Sequence, residues 1–229
     1  MKVTAVKTRA FKEGEDLIAF IVKYIPRLKE GSILVVTSKI VALSEGRTAD
    51  VKDAAKVIRN ESDWQRKTKY GQITLKDGMY MWNAGIDESN ADGRIVLLPK
   101  NSFDSAEKIR SSLLQKTGIK KLGVVVTDSR IVPLRAGVVG IALGYAGFKG
   151  LRDYRGKKDI HGRPLKFTQT DIADALATAA VLVMGEGSER QPLCVIENAP
   201  VTFTERVDQR ELLVDPKDDM YGPLFSKKR

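Results

Sequence analysis

Apolar residues recur along the chain with two alternating periods. Between Glu15 and Ile25 the residues Leu17, Ile18, Ile21, Val22 and Ile25 share one face of a predicted helix, which Pro26 stops. Ser32-Ile33-Leu34-Val35-Val36-Thr37 is short, apolar and rich in β-branched residues, the pattern of a buried strand. From Val51 to about Lys69 the chain turns polar, and the expectation there is a largely solvated helix. Gln72 to Trp82 predicts a hairpin turning near Asp77-Gly78, and Arg94-Ile95-Val96-Leu97-Leu98 predicts another strand.

In the second half, Asp104-x-x-Glu107 has the spacing of a capping box. It opens a predicted helix carrying Ala106, Ile109 and Leu113, which should end near Gly118. Leu122-Gly123-Val124-Val125-Val126-Thr127 is the clearest strand. Thr170 to Met184 is the clearest helix, with Asp171 and Asp174 placed to complement the positive end of its dipole. It runs into Gly185-Glu186-Gly187, and a strand follows from Leu193 to Glu197. The mixture predicts an α+β (mixed α/β) fold over residues 1–229 with one continuous core. No linker or repeat marks a boundary, so 229 residues form one large domain or two interleaved small ones.

Composition changes this picture little. With 42% hydrophobic and 30% charged residues the chain is an ordinary folding sequence. At this length it buries roughly 70–75% of its unfolded surface and needs no covalent staples. The lone Cys194, inside Pro192-Leu193-Cys194-Val195-Ile196, reads as a small buried hydrophobe, and one cysteine with the single His161 makes no zinc site. No signal peptide opens the sequence and no run approaches the ~20 apolar residues of a membrane span, so a cytoplasmic protein is expected. The formal charge of +10 points to an anionic partner, either nucleic acid or a polyanionic small molecule. Because the cations are scattered, a solvated surface with one local anion pocket fits better.

Three acidic segments carry candidate chemistry. Asp128 follows the best strand, where a carboxylate commonly faces a crevice and can hold a phosphate-bridging cation; a turn-capping role is the plain alternative. The loop from Asn83 to Asn90, with Gly85 and Asp87, offers hard oxygen donors, although such residues build most loops. In Met184-Gly185-Glu186-Gly187-Ser188-Glu189 two glycines flank a carboxylate, which suits either an anion-facing backbone or a glycine helix cap beside a surface Glu. The stretch from Gly150 to Arg163 concentrates Arg152, Arg155 and Arg163 around Tyr154, a candidate carboxylate or phosphate clamp or else a solvated basic loop. His161 has no neighbour in sequence to orient it as a base. No P-loop appears, and Gly137, Gly140, Gly144, Gly147 and Gly150 fit no dinucleotide fingerprint; they read as close packing or sharp turns.

Taken in order, these blocks resemble the coenzyme F-420:L-glutamate ligase family, whose acceptor is a 5-deazaflavin. The matching stretches are Val35 to Val41 with Glu45-Gly46-Arg47, then Asn83 to Asn90, Val126-Thr127-Asp128, Leu151 to Arg163, and Met184 to Gly187. The resemblance implies a homodimeric enzyme whose subdomains interleave around mixed sheets. It implies that GTP or ATP and two Mg2+ or Mn2+ ions activate the acceptor's carboxylate as an acyl phosphate, which the amine of L-glutamate attacks. On that likeness Asp87 and Asp128 match the ligands of one metal, and Ser129 and Glu186 those of the second. Asn90 and the run Met184, Gly185, Glu186, Gly187, Ser188, Glu189, Arg190 and Gln191 match nucleotide contacts, with Ser38 and Lys39 beside them. Arg152, Tyr154, Arg155 and Arg163 are then expected to hold anionic substrate.

The sequence also departs from the family. Val132 stands where an Arg is expected, and Ala42-Leu43 replaces a Ser-Lys pair, which leaves a monovalent-cation contact unsupported. The region from Val51 to Met81 is shorter than usual. With every acidic ligand kept, these changes point to an altered acceptor, such as a folate-like one, or to an altered nucleotide. Two competing expectations stand beside this: a basic nucleic-acid-binding protein, and a family member that binds nucleotide without turnover.

Overall fold

The structure, a computed structural model, describes residues 1–89, 91 and 93–225. The chain opens with β1 (Lys2–Val6), α1 (Leu17–Tyr24), β2 (Ser32–Thr37), α2 (Ser38–Ser44) and β3 (Thr48–Asp50). A smaller middle section carries α3 (Ala54–Asn60), β4 (Trp64–Lys67), β5 (Gln72–Lys76), β6 (Met79–Trp82) and β7 (Arg94–Val96). Then come α4 (Ser102–Thr117), β8 (Leu122–Ile131), β9 (Val138–Ala146), β10 (Leu151–Asp153) and β11 (Gln169–Asp171). Helix α5 (Ile172–Met184), β12 (Leu193–Glu197) and the short α6 (Gly222–Phe225) complete it. The mixed α+β class is the one expected.

Five strands form the central sheet in the order β1-β12-β2-β8-β9. Only β2 and β8 run parallel; the other neighbours are antiparallel. One face is covered by α1 and α4, whose Phe20, Ile21, Ile109 and Leu113 pack on Leu34, Val36, Val124 and Val126. On the other face α5 brings Ala173, Leu176 and Ala177 onto Ile33, Val35, Val125 and Cys194. Because both faces of β2 and β8 are buried, these strands read as unbroken apolar runs rather than alternating ones. Smaller ladders join β3 to β7, β10 to β11, and β4, β5 and β6 in a three-stranded sheet.

Several expectations are corrected. The polar stretch 51–69 is a 3-10 turn and the short helix α3, after which Trp64–Lys67 adds an edge strand to β5. Trp64 packs edge-on against Tyr80 at 5.8 Å, a tertiary contact that local pattern does not carry. Helix α4 starts earlier than its supposed capping box: Asn101 is the cap, accepting from the amides of Phe103 and Asp104, and Asp104 lies in the first turn. Gly118 ends it at φ 74°, as expected. Asp171 likewise caps α5 rather than lying inside it. Strand β8 runs on past Thr127 to Ile131 across a bulge between Val126 and Thr127.

The glycine-rich stretch proves to be β9, a strand squeezed between two helices. A Cβ on Gly140 would strike the carbonyl of Ala177 on α5, and one on Gly144 would strike the backbone at Ser102 on α4. Close packing thus accounts for Gly140 and Gly144, in a strand that the sequence pattern does not signal, while Gly137 and Gly147 turn the chain at positive φ just outside it.

Candidate active site

Parallel pairing of β2 with β8 brings Thr37, the last residue of β2, opposite Thr127 at the β8 bulge. Ser38 and Lys39 begin α2 immediately beyond β2, and Asp128 follows the bulge within β8. The Ser38 side chain and the amide of Ser129 both hydrogen-bond the Asp128 carboxylate. A third segment arrives from the side, where the backbone of Asp87 pairs with Val96 (N–O distances 3.0 and 2.9 Å). The turn before it holds Ala84 and Gly85 at positive φ, fixed by the Ala84 amide donating to the Thr74 hydroxyl at 2.8 Å. Glu186 comes from the loop after α5 and hydrogen-bonds Ser129.

The four proposed metal ligands Asp87, Asp128, Ser129 and Glu186 are thus drawn to one place. Burial, then the charges of Asp87 and Glu186, push the Asp128 carboxyl up to about 6, against the Ser129 amide and Ser38. Glu186 is raised as well, mainly by burial, with Asp87 and Glu189 adding repulsion. Asp87 behaves oppositely. Burial works to raise it, but the Lys39 ammonium, 2.6 Å from Oδ2, and the Ser89 groups hold it below its ordinary value. Lys39 Nζ also donates to the Ser89 carbonyl at 2.7 Å and so ties the loop to α2.

The donors suit a hard divalent cation: three carboxylates and a hydroxyl, with two of the carboxyls raised mainly by burial and further by neighbouring negative charge. Among the described residues no three acidic, His or Cys side chains close into a metal cage. Lys39 takes up one oxygen of Asp87, so a cation bound there competes with that ammonium.

The remaining expected contacts divide in two. Around the nucleotide segment, Met184 is buried in the core, and the Gln191 amide donates to its carbonyl at 3.2 Å. The Gly187 amide donates to Glu189 at 2.8 Å, and the Arg190 carbonyl accepts from Thr8 at 2.8 Å. Gly185 and the exposed Ser188 complete a loop lying directly beside the acidic cluster. Asn90 lies outside the described residues. The basic segment is another matter: Arg155 pairs with Asp153 at 2.6 Å and Arg163 with Asp159 at 3.0 Å. Arg152 donates to the Pro200 carbonyl and to Tyr154, whose ring carries Lys157 at 5.1 Å. Among the described residues, no hydrogen bond or ion pair joins these four to the acidic cluster.

Sequence reasoning passed over Arg130. It stands two residues beyond Asp128 on the same strand, and that spacing was the available signal, since alternate strand residues share a face.

Comparison with known proteins decides the family. The profile described as F420-0:Gamma-glutamyl ligase matches residues 5–69 and 53–198. The chain belongs to the F420-0:gamma-glutamyl ligase family. It is 46% identical to the coenzyme F420:L-glutamate ligase of Methanococcus maripaludis strain S2, over 91% of this chain and 86% of that protein. The protein of the same name from Methanocaldococcus jannaschii is 34% identical, with 96% of each chain covered. That from Archaeoglobus fulgidus is 35% identical over 83% and 84% of the two chains. The family is one of ligases, and the acidic cluster lies within the matched span. No described helix is long and apolar enough to cross a membrane.

Proposed function

We propose that this ligase joins L-glutamate through an amide bond to a small-molecule carboxylic acid, a deazaflavin coenzyme precursor or a folate-like acceptor, at the expense of GTP or ATP. The observation that carries the reading is the convergence of Asp87, Asp128, Ser129 and Glu186 where β2 ends next to the β8 bulge, with Lys39 beside them. The names of the similar proteins support the glutamate donor and the deazaflavin acceptor.

In this scheme Asp87 and Asp128 hold one divalent cation and Ser129 with Glu186 a second, Mg2+ or Mn2+. When bound, such ions neutralise the charge that builds on a transferring phosphoryl group. The chain's own residues do the positioning. Ser38 and the Ser129 amide keep Asp128 aimed at the site. Lys39 offers an ammonium to phosphate oxygens once Asp87 releases it, and the 184–191 loop presents backbone amides to the nucleotide. The acceptor carboxylate takes the terminal phosphoryl group, leaving nucleoside diphosphate. The glutamate amine then displaces inorganic phosphate from the acyl phosphate, losing a proton as the amide forms. No protein nucleophile is required. We assign a homodimer as the working form, supported by the row of exposed apolar residues at the β8–β9 tip.

The test is incubation of the protein with GTP or ATP, Mn2+, L-glutamate and each acceptor, read by mass spectrometry. Acceptor mass rising by one or more glutamyl residues, with nucleotide hydrolysed in step, supports the proposal. Unchanged acceptors alongside intact nucleotide overturn it.

A further inference from the structure

A cavity of about 430 Å3 opens where the N-terminal ends of α4 and α5 meet β9 and the β5–β6 turn. Its floor is apolar, from Leu98, Phe103, Leu143 and Leu212. Charges of both signs line it: Lys100, Arg130 and Arg210 with Asp77, Asp171 and Asp174. A nucleotide polyphosphate suits the cations and is repelled by the acids, so the mixture calls for a ligand that is itself mixed.

One group in this cavity has a need that the chain leaves open. Arg130 Nη2 is buried without a hydrogen-bond partner among the described residues, and a charged donor in that condition favours an anionic acceptor beside it. Arg130 feels the charges of both Asp174, which lines the cavity, and Asp128 of the acidic cluster. Asp171 and Asp174 lie together at the start of α5 and also line the cavity. Asp174 accepts the Ala142 amide at 2.8 Å, and Asp171 accepts the Asp174 amide at 2.9 Å. Burial, together with the charge and the side-chain hydrogen bond of Asp174, pushes the Asp171 carboxyl up to about 6.

We propose that this cavity seats the incoming amino acid of the ligation, an amino-dicarboxylate, with Arg130 holding a carboxylate and the Asp171–Asp174 pair facing its ammonium. Lys100 and Arg210 at the rim then meet the second carboxylate. The assignment rests on the ligase reading above, and it seats the amino acid beside the acidic cluster, because Arg130 and Asp128 are alternate residues of one strand.

The experiment compares the wild-type chain with Arg130→Gln, Arg130→Lys and Arg210→Gln. Steady-state kinetics are measured for each substrate, together with calorimetric binding of L-glutamate alone. Loss of a charge-assisted bond should raise the glutamate KM of Arg130→Gln about tenfold or more. A smaller effect is expected on kcat, with nucleotide and acceptor KM unchanged and partial recovery in Arg130→Lys. Arg210→Gln, at an exposed rim position, should show the same pattern more weakly and carries the test if Arg130→Gln melts early. A wild-type chain that ligates nothing yet binds glutamate in an Arg130-dependent way would sink the ligase reading and keep the cavity assignment. A rise in nucleotide or acceptor KM instead, or glutamate binding indifferent to both arginines, would overturn the assignment.

Discussion

Asp128 shows how one residue can be costly to the fold and useful to the site. Its carboxyl is raised from 3.8 to about 6 in the folded chain, so the native state holds its proton more tightly than the unfolded one does. Wild-type stability attributable to this group is therefore intact at low pH and falls as pH rises through that window. Asp128→Asn carries no such charge. With chelator present at pH 8, the variant should be more stable than wild type by on the order of 1 kcal/mol, and the two should converge in acid, as thermal melts across pH will show. Ligation by the variant should fall at least about a hundredfold, the scale on which electrostatic stabilisation of a transition state is lost. Added Mn2+ should raise the melting temperature of wild type more than that of the variant. Cys194 is the opposite kind of residue, fully buried with its thiol pushed up to about 11 by burial. It should resist alkylation at pH 8 until denaturant is added, which mass spectrometry of the labelled chain measures.

Among the elements, β9 is the one on which the site's frame depends. It lies between α4 and α5 and sets the spacing that lets Asp174 reach the Ala142 amide. Gly140→Ala drives a methyl group into the α5 backbone and should cost about 1–3 kcal/mol in urea unfolding. Capping of α4 gives a separate check. Asn101→Ala should lose about 1 kcal/mol, more than Asp104→Ala, because the Asn101 side chain accepts two amides at the helix start. These two elements also show why local pattern succeeded or failed. The strands at Ser32–Thr37 and Leu122–Thr127 were legible because burial on both faces selects β-branched residues wherever the strand lies. Strand β9 was illegible because a strand pressed between helices selects glycine, which signals turns in most other contexts. At Trp64–Lys67 the pairing partners run from Leu75 back to Gln72, a hairpin contact that the polar segment's own periodicity does not signal.

For the whole molecule, two long-range ties hold the C-terminal segment against the core. Arg110, almost wholly buried, donates two bonds to Glu205 at 2.9 and 2.8 Å, and Glu211 accepts from the Tyr145 hydroxyl and the Gly150 amide. The β8–β9 tip, by contrast, leaves Ile131, Leu134 and Val138 exposed. If that tip meets a second copy, as the proposed homodimer requires, Leu134→Asp should shift the chain from dimer to monomer in sedimentation velocity without lowering its melting temperature in dilute solution. A wild type that sediments as a monomer removes the dimer from the proposal. Sequence by itself determined the mixed α+β class, the main strands and helices, and the acidic residues that converge. Each of these is written in local periodicity or in residue type, which are properties of short segments. Only the tertiary structure decided that Asp87 is held by Lys39, that the arginines of the 152–163 segment are engaged by their own neighbours, and that Arg130 opens onto a cavity of mixed charge. Those outcomes depend on which distant groups share a small volume, and that is set by the packing of the whole chain.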